Sequence, residues 1–360
     1  MKIVIHILNN VPFGNINGDQ TGLPKQHVDG GVNRGRISPQ SLKRAARTEY
    51  RDTTIFTDNP TYRTRKADQI AERYAREYAA EKGLDFTEET SKTVRKVIRA
   101  ITTANIPKTD DEAAEKTPTL FLSEQSLRLL AQNAVEKPDP GVEDFILDAT
   151  SSALDIAAFG RMFSAAYHLS TIAAVAVSPA ETVHGINVAV DHFSTAEECT
   201  EDNHSSHLGS LFNTTGTYYR TVVIDPDQLR RSWSLIDTPE AAKELEALVR
   251  ALIVSLPSGR KNSSAPPSYP SMVVAETQKK AFAYDFETPL LPAPTGGYTR
   301  PAIEAFVERQ DEAHTFDPDN FGPTAYYVPK SFEDAELSGS RVPSLKELTG
   351  FVVDQILGGT

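Results

Sequence analysis

The sequence predicts an α+β protein. It opens on a β-rich run, KIVIHIL, which reads as a strand over residues 2–9. A block over residues 61–137 carries apolar side chains at three- and four-residue spacing, the signature of amphipathic helices. Strand-type runs then return in HGINVAVDHF (184–193) and GTYYRTVVID (216–225). Strands and helices are therefore segregated along the chain rather than strictly alternating.

Taken in order, the first strand gives way to a glycine- and asparagine-rich loop, NNVPFGNINGDQTGLP, and then to GGVNRGRISPQSLKRAAR at 30–47. Ser38 followed by Pro39 predicts a helix start, because serine can cap free amides and proline suits the first helical position. On that helix Gln40, Lys43, Arg44, Arg47 and Arg51 fall on one stripe, with Leu42, Ala45, Ala46 and Tyr50 opposite. In the 61–137 block, Ile70, Tyr74 and Tyr78 predict a helix that stops at Gly83. Val94, Val97, Ile98 and Ile101 predict a second, leaving Lys92, Arg95, Lys96 and Arg99 outside, and Ser123 begins a third. The block reads as an inserted helical subdomain ending near KPDPG at 137–141. The two later strands flank STAEECTEDNHSSHLGSLFNTT, which predicts a long protruding hairpin rather than a tight turn. A helix over 239–256, a flexible basic loop SGRKNSSAPPSYP, a strand MVVAET, proline-rich connections and a closing helix SLKELTGFVVDQIL complete the chain.

Composition narrows the function classes. At 360 residues, 39% hydrophobic and 24% charged, the chain can bury a core and is not of disordered type. KIVIHIL is too short for a signal peptide or membrane span, and STIAAVAVSPA stops at Pro179. Cys199 is the only cysteine, so a disulfide framework is excluded within the chain and a reducing, cytoplasmic setting is expected. The net charge of −12 argues mildly against a polyanion partner, but its distribution matters more. Between Lys25 and Arg51 seven bases face only Asp29 and Glu49, a net of +5; from Arg300 to Thr360 eleven acids face five bases, a net of −6. Such a dipolar chain can hold a polyanion locally while its other faces stay anionic.

The 25–51 segment is thus the first candidate site. The amides of Gly30 and Gly31 and those at Ser38 would favour an anion, Lys25, Arg34, Arg36, Lys43, Arg44 and Arg47 would hold phosphate oxygens, and Ser38 and Gln40 would add neutral donors. The plainer reading is a solvated helix face. Asp29 could ligate magnesium beside a phosphate or simply pair with Arg34. In SGRKNSS, Arg260, Lys261 and Asn262 lack the spacing of a phosphate-gripping loop, and by itself such a stretch is more often a flexible linker than a site. Cys199, His204 and His207, near Asp191 and His192, match no structural zinc spacing, so no metal and no cofactor are expected. No nucleophile–base or metalloprotease motif is present. His6 and His168 sit among apolar residues and read as core histidines.

IHILNNVPFGNINGDQTGLPKQHVDGGVNRGRISPQSLKRAAR resembles the N-terminus of the CasC-type backbone subunit of type I-E Cascade, a CRISPR RNA-guided surveillance complex, within the RAMP superfamily. The similarity lies in the I-H-x-L opening, the loop ending in N-x-D, a lysine before G-G, and R-x-R-[IV]-S-x-Q-S-x-K-R-A-x-R. It extends to DIAAFGRMF (155–163), the HLG of the expected arm with GTYYRTVVID (216–225) behind it, and PSGRKNS (257–263). Pro39 departs from an expected serine, and Asp29 stands where the family is often apolar. The resemblance implies an RNA-recognition-motif-like (ferredoxin-like) palm over 1–58, 151–191 and 218–360, helical fingers over 59–150 and a β-hairpin thumb over 192–217. It implies a non-enzymatic scaffold in antiviral defence. Copies would form a helical, hexameric filament along CRISPR guide RNA, pairing the guide with target DNA beside the large, small, 5′-end cap and guide-processing subunits, with no membrane partner. Carried over, Lys25, Ser38, Gln40, Lys43 and Arg44 would grip the guide backbone. Arg161 and Met162 would lie at a displaced base, the methionine as an apolar wedge. Arg260, Lys261 and Asn262 would form a loop near the RNA. Relatives that cleave target RNA with a loop aspartate and a divalent metal make Asp29 the alternative.

Overall fold

The computed structural model describes residues 1–53, 60–102, 119–137, 140–142, 146, 150–196, 205–260, 262–264 and 266–358. Contacts divide the chain into two compact units: Met1–Thr53 with Ala176–Ile224 and Glu246–Thr360, and Thr54–Val175 with Asp225–Leu245. The predicted helical block at 59–150 falls in the second unit, which also takes 151–175 and 225–245.

The first unit is built on a large mixed sheet. Its strands are β1 (Lys2–Gly14), β2 (Gln26–Asp29), β3 (Val32–Ile37), β7 (Ala180–Thr182), β8 (Ala189–Ala196), β9 (Ser205–Ile224), β10 (Pro270–Gln278), β11 (Phe321–Tyr327) and β12 (Ser340–Arg341). They run in the order β12-β11-β10-β1-β9-β7-β3-β2, with β8 also paired to β9. Every pairing in this run is antiparallel except β11 with β12. β1 lies centrally, and its residues from Ile3 to Leu8 are buried on both faces. That is why it reads as a nearly continuous β-branched run instead of an alternating one.

β9 is twenty residues long and serves two purposes. Its C-terminal half pairs with β1 from Gly216 to Ile224, while its N-terminal half pairs with β8 as a hairpin, Ala189 opposite Asn213 and Ser194 opposite Leu208. The sequence reads this stretch as a polar arm, and the described β8 side chains from Ala189 to Thr195 are exposed, so no apolar alternation marks it. Phe193 covers Gly209 across the pair, in a space where a β-carbon would stand 2.4 Å from the ring.

Helix α1 (Pro39–Thr53) buries Leu42, Ala46 and Tyr50 at four-residue spacing. Leu42 joins Val11, Ile37, Ala180, Tyr218 and Leu256 in one apolar cluster. A helix unforeseen from sequence, α8 (Thr299–Phe316), packs Ala302, Ile303 and Phe306 against Leu8, Met272 and Val274. α9 (Leu345–Leu357) closes the unit, its first turn capped by Ser344, which accepts from the Glu347 amide at 3.3 Å.

The second unit contains the antiparallel pair of β4 (Thr61–Thr64) and β5 (Leu120–Ser123), with α2 (Ala67–Lys82), α3 (Glu88–Ile101), α4 (Glu124–Glu136), α5 (Leu154–Phe159) and α6 (Pro226–Ser232). α2 ends where predicted, at Gly83 with φ +68°. Ser123 caps α4 by accepting from the Ser126 amide at 3.2 Å. The core joins Tyr74, Val94, Ile98, Leu127 and Leu130 to Phe163 and Leu169. His168, read from sequence as a core residue, is exposed, because the neighbouring Leu169 takes the inward position instead. β6 (Val175–Val177) and α7 (Ala241–Val254) run through two of the four sequence junctions between the units. Among the described residues no helix is long and apolar enough to cross a membrane.

One buried carboxylate organises the α8 face of the sheet. Glu276 accepts from Gln310 at 2.6 Å, Gln278 at 2.7 Å and the Tyr284 hydroxyl at 3.0 Å, with His6 Nε2 3.4 Å away. Burial alone would raise its pKa, but His6 and the amide donors outweigh burial and hold it at about 2. A carboxylate depressed in the folded state contributes stability above its unfolded pKa of about 4.3, and that contribution is lost as pH falls toward the folded value. Glu276→Gln should therefore cost about 2–4 kcal/mol at neutral pH, since it turns an amide toward donors in a buried site. Urea unfolding between about pH 5 and pH 2.5 should show a shallower stability loss in the variant than in the wild type.

Candidate nucleic-acid interface

The basic segment folds as a hairpin followed by a helix. β2 and β3 pair Gln26 with Gly35 and Asp29 with Val32, leaving Gly30 and Gly31 as the two-residue turn. Both glycines have positive φ, +55° and +78°, as a type I′ turn demands. The six residues of β3 separate this turn from Ser38, a span of about 20 Å at strand rise. Gly30 and Gly31 therefore do not join the helix mouth in one anion cradle. Adjacency in sequence is undone by an extended strand.

Arg34 is a second departure from the sequence reading. It is 2% exposed, and its guanidinium donates to the carbonyls of Thr182 at 2.8 Å, Phe286 at 2.5 Å and Glu287 at 2.7 Å. Its Nε also stands 3.0 Å from Asp29 Oδ2. With its donors committed inside the fold, Arg34 has no fork to offer a phosphate. Asp29 thus stands in an ion pair with Arg34.

At the opposite end of the hairpin the basic residues converge. The Arg36 amide donates to the Lys25 carbonyl at 2.8 Å, so these residues lie side by side. Asn17 ties both strands of the approach together: its carbonyl accepts from the Lys25 amide at 3.1 Å and its Oδ1 from the Ser38 amide at 2.9 Å. Asp19 folds the same loop by accepting from the amides of Thr21 and Leu23. Ser38 starts α1 through its carbonyl, which accepts from the Ser41 and Leu42 amides at 3.0 and 3.1 Å. No hydrogen bond from the Ser38 hydroxyl is found among the described residues, so that group remains available for a ligand. Along α1, Gln40 and Arg44 are exposed, while Lys43 and Arg47 are half-buried. Among the described residues no acid pairs with Lys25, Arg36, Lys43 or Arg44. Burial lowers the pKa of the Lys43 ammonium, a cation partly stripped of water with no counter-ion beside it.

The second basic loop comes to the same place. Arg260 Nη2 donates to the Gly22 carbonyl at 3.3 Å, and a β-carbon at Gly259 would stand 2.6 Å from the Ile16 carbonyl. Arg260 has φ +51°, the one non-glycine residue of positive φ among those described, and Asn262 is exposed. Lys261 lies outside the described residues.

Arg161 and Met162 belong to the second unit. Arg161 is 6% exposed and donates from Nη2 to the Thr150 carbonyl at 3.0 Å, whereas Met162 is 71% exposed. The Arg161 and Thr171 backbones bond reciprocally at 3.1 and 2.9 Å, closing the loop on which Met162 projects. Arg161 thus anchors the loop, and Met162 is the side chain that faces outward. Cys199 and His204 lie outside the described residues, as does the side chain of His207; the imidazole of His192 bonds Ser210 Oγ at 2.9 Å.

With this geometry in place, a family model of CT1975-like proteins, a Cas family, matches residues 3–349. The chain belongs to that family. Two solved chains share the fold of this CT1975-like protein. One is from a structure described as a CRISPR RNA-guided surveillance complex, pre-nicking, with a TM-score of 0.81 and 24% identity, covering 99% of this chain and 100% of that one. Another, from a CRISPR RNA-guided surveillance complex, has a TM-score of 0.73 and 22% identity over 98% and 99% of the two chains. No curated protein matches.

Two substitutions test the hairpin. Gly30→Ala must fit a β-carbon 2.0 Å from the Glu287 carbonyl at positive φ, whereas Gly31→Ala meets nothing within 4 Å. Urea unfolding should show a loss above about 2 kcal/mol for Gly30→Ala and about 1 kcal/mol for Gly31→Ala.

Proposed function

We propose that this CT1975-like protein is a non-catalytic, guide-RNA-binding backbone subunit of a type I-E CRISPR surveillance complex. The first unit would serve as an RNA-recognition-motif-like palm, the helical segment of the second as fingers, and the β8–β9 hairpin as a thumb. Copies would polymerise in a helical, hexameric filament along the guide and present it to target DNA in the cytoplasm, with the large, small, cap and processing subunits as partners. The observation that carries this reading is the group of uncompensated cations, Lys25, Arg36, Lys43 and Arg44, with Arg260 brought to the same loop, on a chain of net charge −12.

These side chains suit phosphates and sugars, not base edges. A subunit that leaves Watson–Crick edges free can delegate sequence reading to base pairing. Met162 would act as a wedge beside a displaced base, supported by its exposure on an anchored loop. The pairing of Asp29 with Arg34 supports a scaffold over a metal-dependent ribonuclease, because a carboxylate already neutralised by a buried guanidinium is a poor magnesium ligand.

Lys43→Ala with Arg44→Ala should weaken binding to guides of unrelated spacer sequence by similar factors. The slope of log affinity against log salt should also flatten by about 0.7 for each phosphate no longer neutralised. A loss confined to one spacer in filter-binding measurements would contradict backbone gripping. Assembled complex incubated with complementary RNA and magnesium should leave that RNA intact; cleavage abolished by Asp29→Ala would establish the nuclease instead. Deleting residues 195–212 should leave a folded palm by circular dichroism but prevent ordered filaments in electron micrographs.

A further inference from the structure

Arg220 is the second buried arginine of the first unit, one that no charge run in the chain singles out. It sits on β9 opposite Ile7 and is 2% exposed. Among the described residues no carboxylate meets it. Nη2 donates to the carbonyls of Ile253 at 2.7 Å and Leu252 at 3.4 Å, and Nη1 to that of Ser255 at 3.2 Å. These are the closing carbonyls of α7, the acceptors a helix leaves unsatisfied at its negative end. Nε has no partner, and burial draws the guanidinium pKa down to about 10. An apolar side chain would fill the volume without that desolvation cost, so the charge is retained for what it holds in place.

The second basic loop continues directly from α7. Leu256 enters the cluster beneath α1 beside Ile37 and Leu42. Gly259 abuts the Ile16 carbonyl, and Arg260 takes its left-handed conformation with Nη2 on the Gly22 carbonyl. We infer that Arg220 is a positioning residue: it fixes the end of α7 so that the 256–262 loop presents Arg260 and Asn262 to the same phosphate track as Lys43 and Arg44. The inference rests on the proposed RNA-binding role.

Arg220→Lys keeps the charge but loses the planar fork. In the full-length protein without RNA, it should speed backbone hydrogen exchange over 256–264 at least about tenfold while β1 and β10 keep their protection. Affinity for a labelled single-stranded RNA should fall about tenfold. Placed in an Arg260→Ala/Asn262→Ala background, Arg220→Lys should cause no further loss, because the groups it positions are already gone. Arg220→Gln, which retains an amide donor, serves as the second variant should lysine prevent folding. Unchanged exchange in 256–264, or an affinity loss that adds to that of Arg260→Ala/Asn262→Ala, overturns the inference. A wild-type chain that binds no RNA would instead refute the proposed role, while the exchange measurement would still decide whether Arg220 sets the loop.

Discussion

A guanidinium taken out of water at Arg34 governs the conformation of the basic segment. Its bonds to Thr182, Phe286 and Glu287 fasten β3 to chain segments 148, 252 and 253 residues away. Those bonds hold the middle of β3, and the Asn17 side chain holds the Ser38 amide where the strand gives way to α1. Leaving any of these acceptors unmet would expose the chain to the cost of a buried, unpaired polar group, so the hairpin has one stable position. The other positive side chains of the segment are arranged around that anchor.

The cations divide by environment. Arg34 and Arg220 are buried and spend their donors on carbonyls, which rigidifies the first unit. Lys25, Arg36 and Arg44 have no ionic partner among the described residues, and Lys43 is half-desolvated as well. An ammonium in that condition gains from a phosphate twice over, through direct attraction and through relief of its lost hydration. The acidic balance elsewhere lowers affinity for stray polyanions without weakening the contacts at this locus, whose range is limited to about 8 Å by physiological salt.

Local signals were legible wherever they were self-contained. Gly83 stopped α2 and Ser123 opened α4 because each acts through bonds to its own neighbours, whereas α1 begins at Ser38–Pro39 without the expected side-chain cap, its first bonds going to the Ser38 carbonyl. α8 escaped notice because Pro301 and the proline-rich approach mask its first turn, though proline is tolerated there. The β8–β9 hairpin was expected from two strand-type runs flanking a polar stretch, but a polar arm carries no binary pattern from which its register could be read. The roles of the arginines were illegible for a different reason. Arg34 and Arg44 look equivalent in a basic run, and only the carbonyls contributed by distant segments decide which one turns inward.

The same distinction bears on chemistry at Asp29. Its side chain keeps 43% exposure, so access alone would permit a metal. The pairing gives Asp29 a counter-charge: Arg34 Nε stands 3.0 Å from Oδ2 while the other guanidinium nitrogens donate to three carbonyls. A divalent ion at Asp29 would sit beside that buried guanidinium, whose like charge weakens its hold on the carboxylate. Under the proposed role, then, the fold sets Asp29 to work as a counter-charge for the sheet, and the segment that reads as one basic tract performs two separate jobs at its two ends.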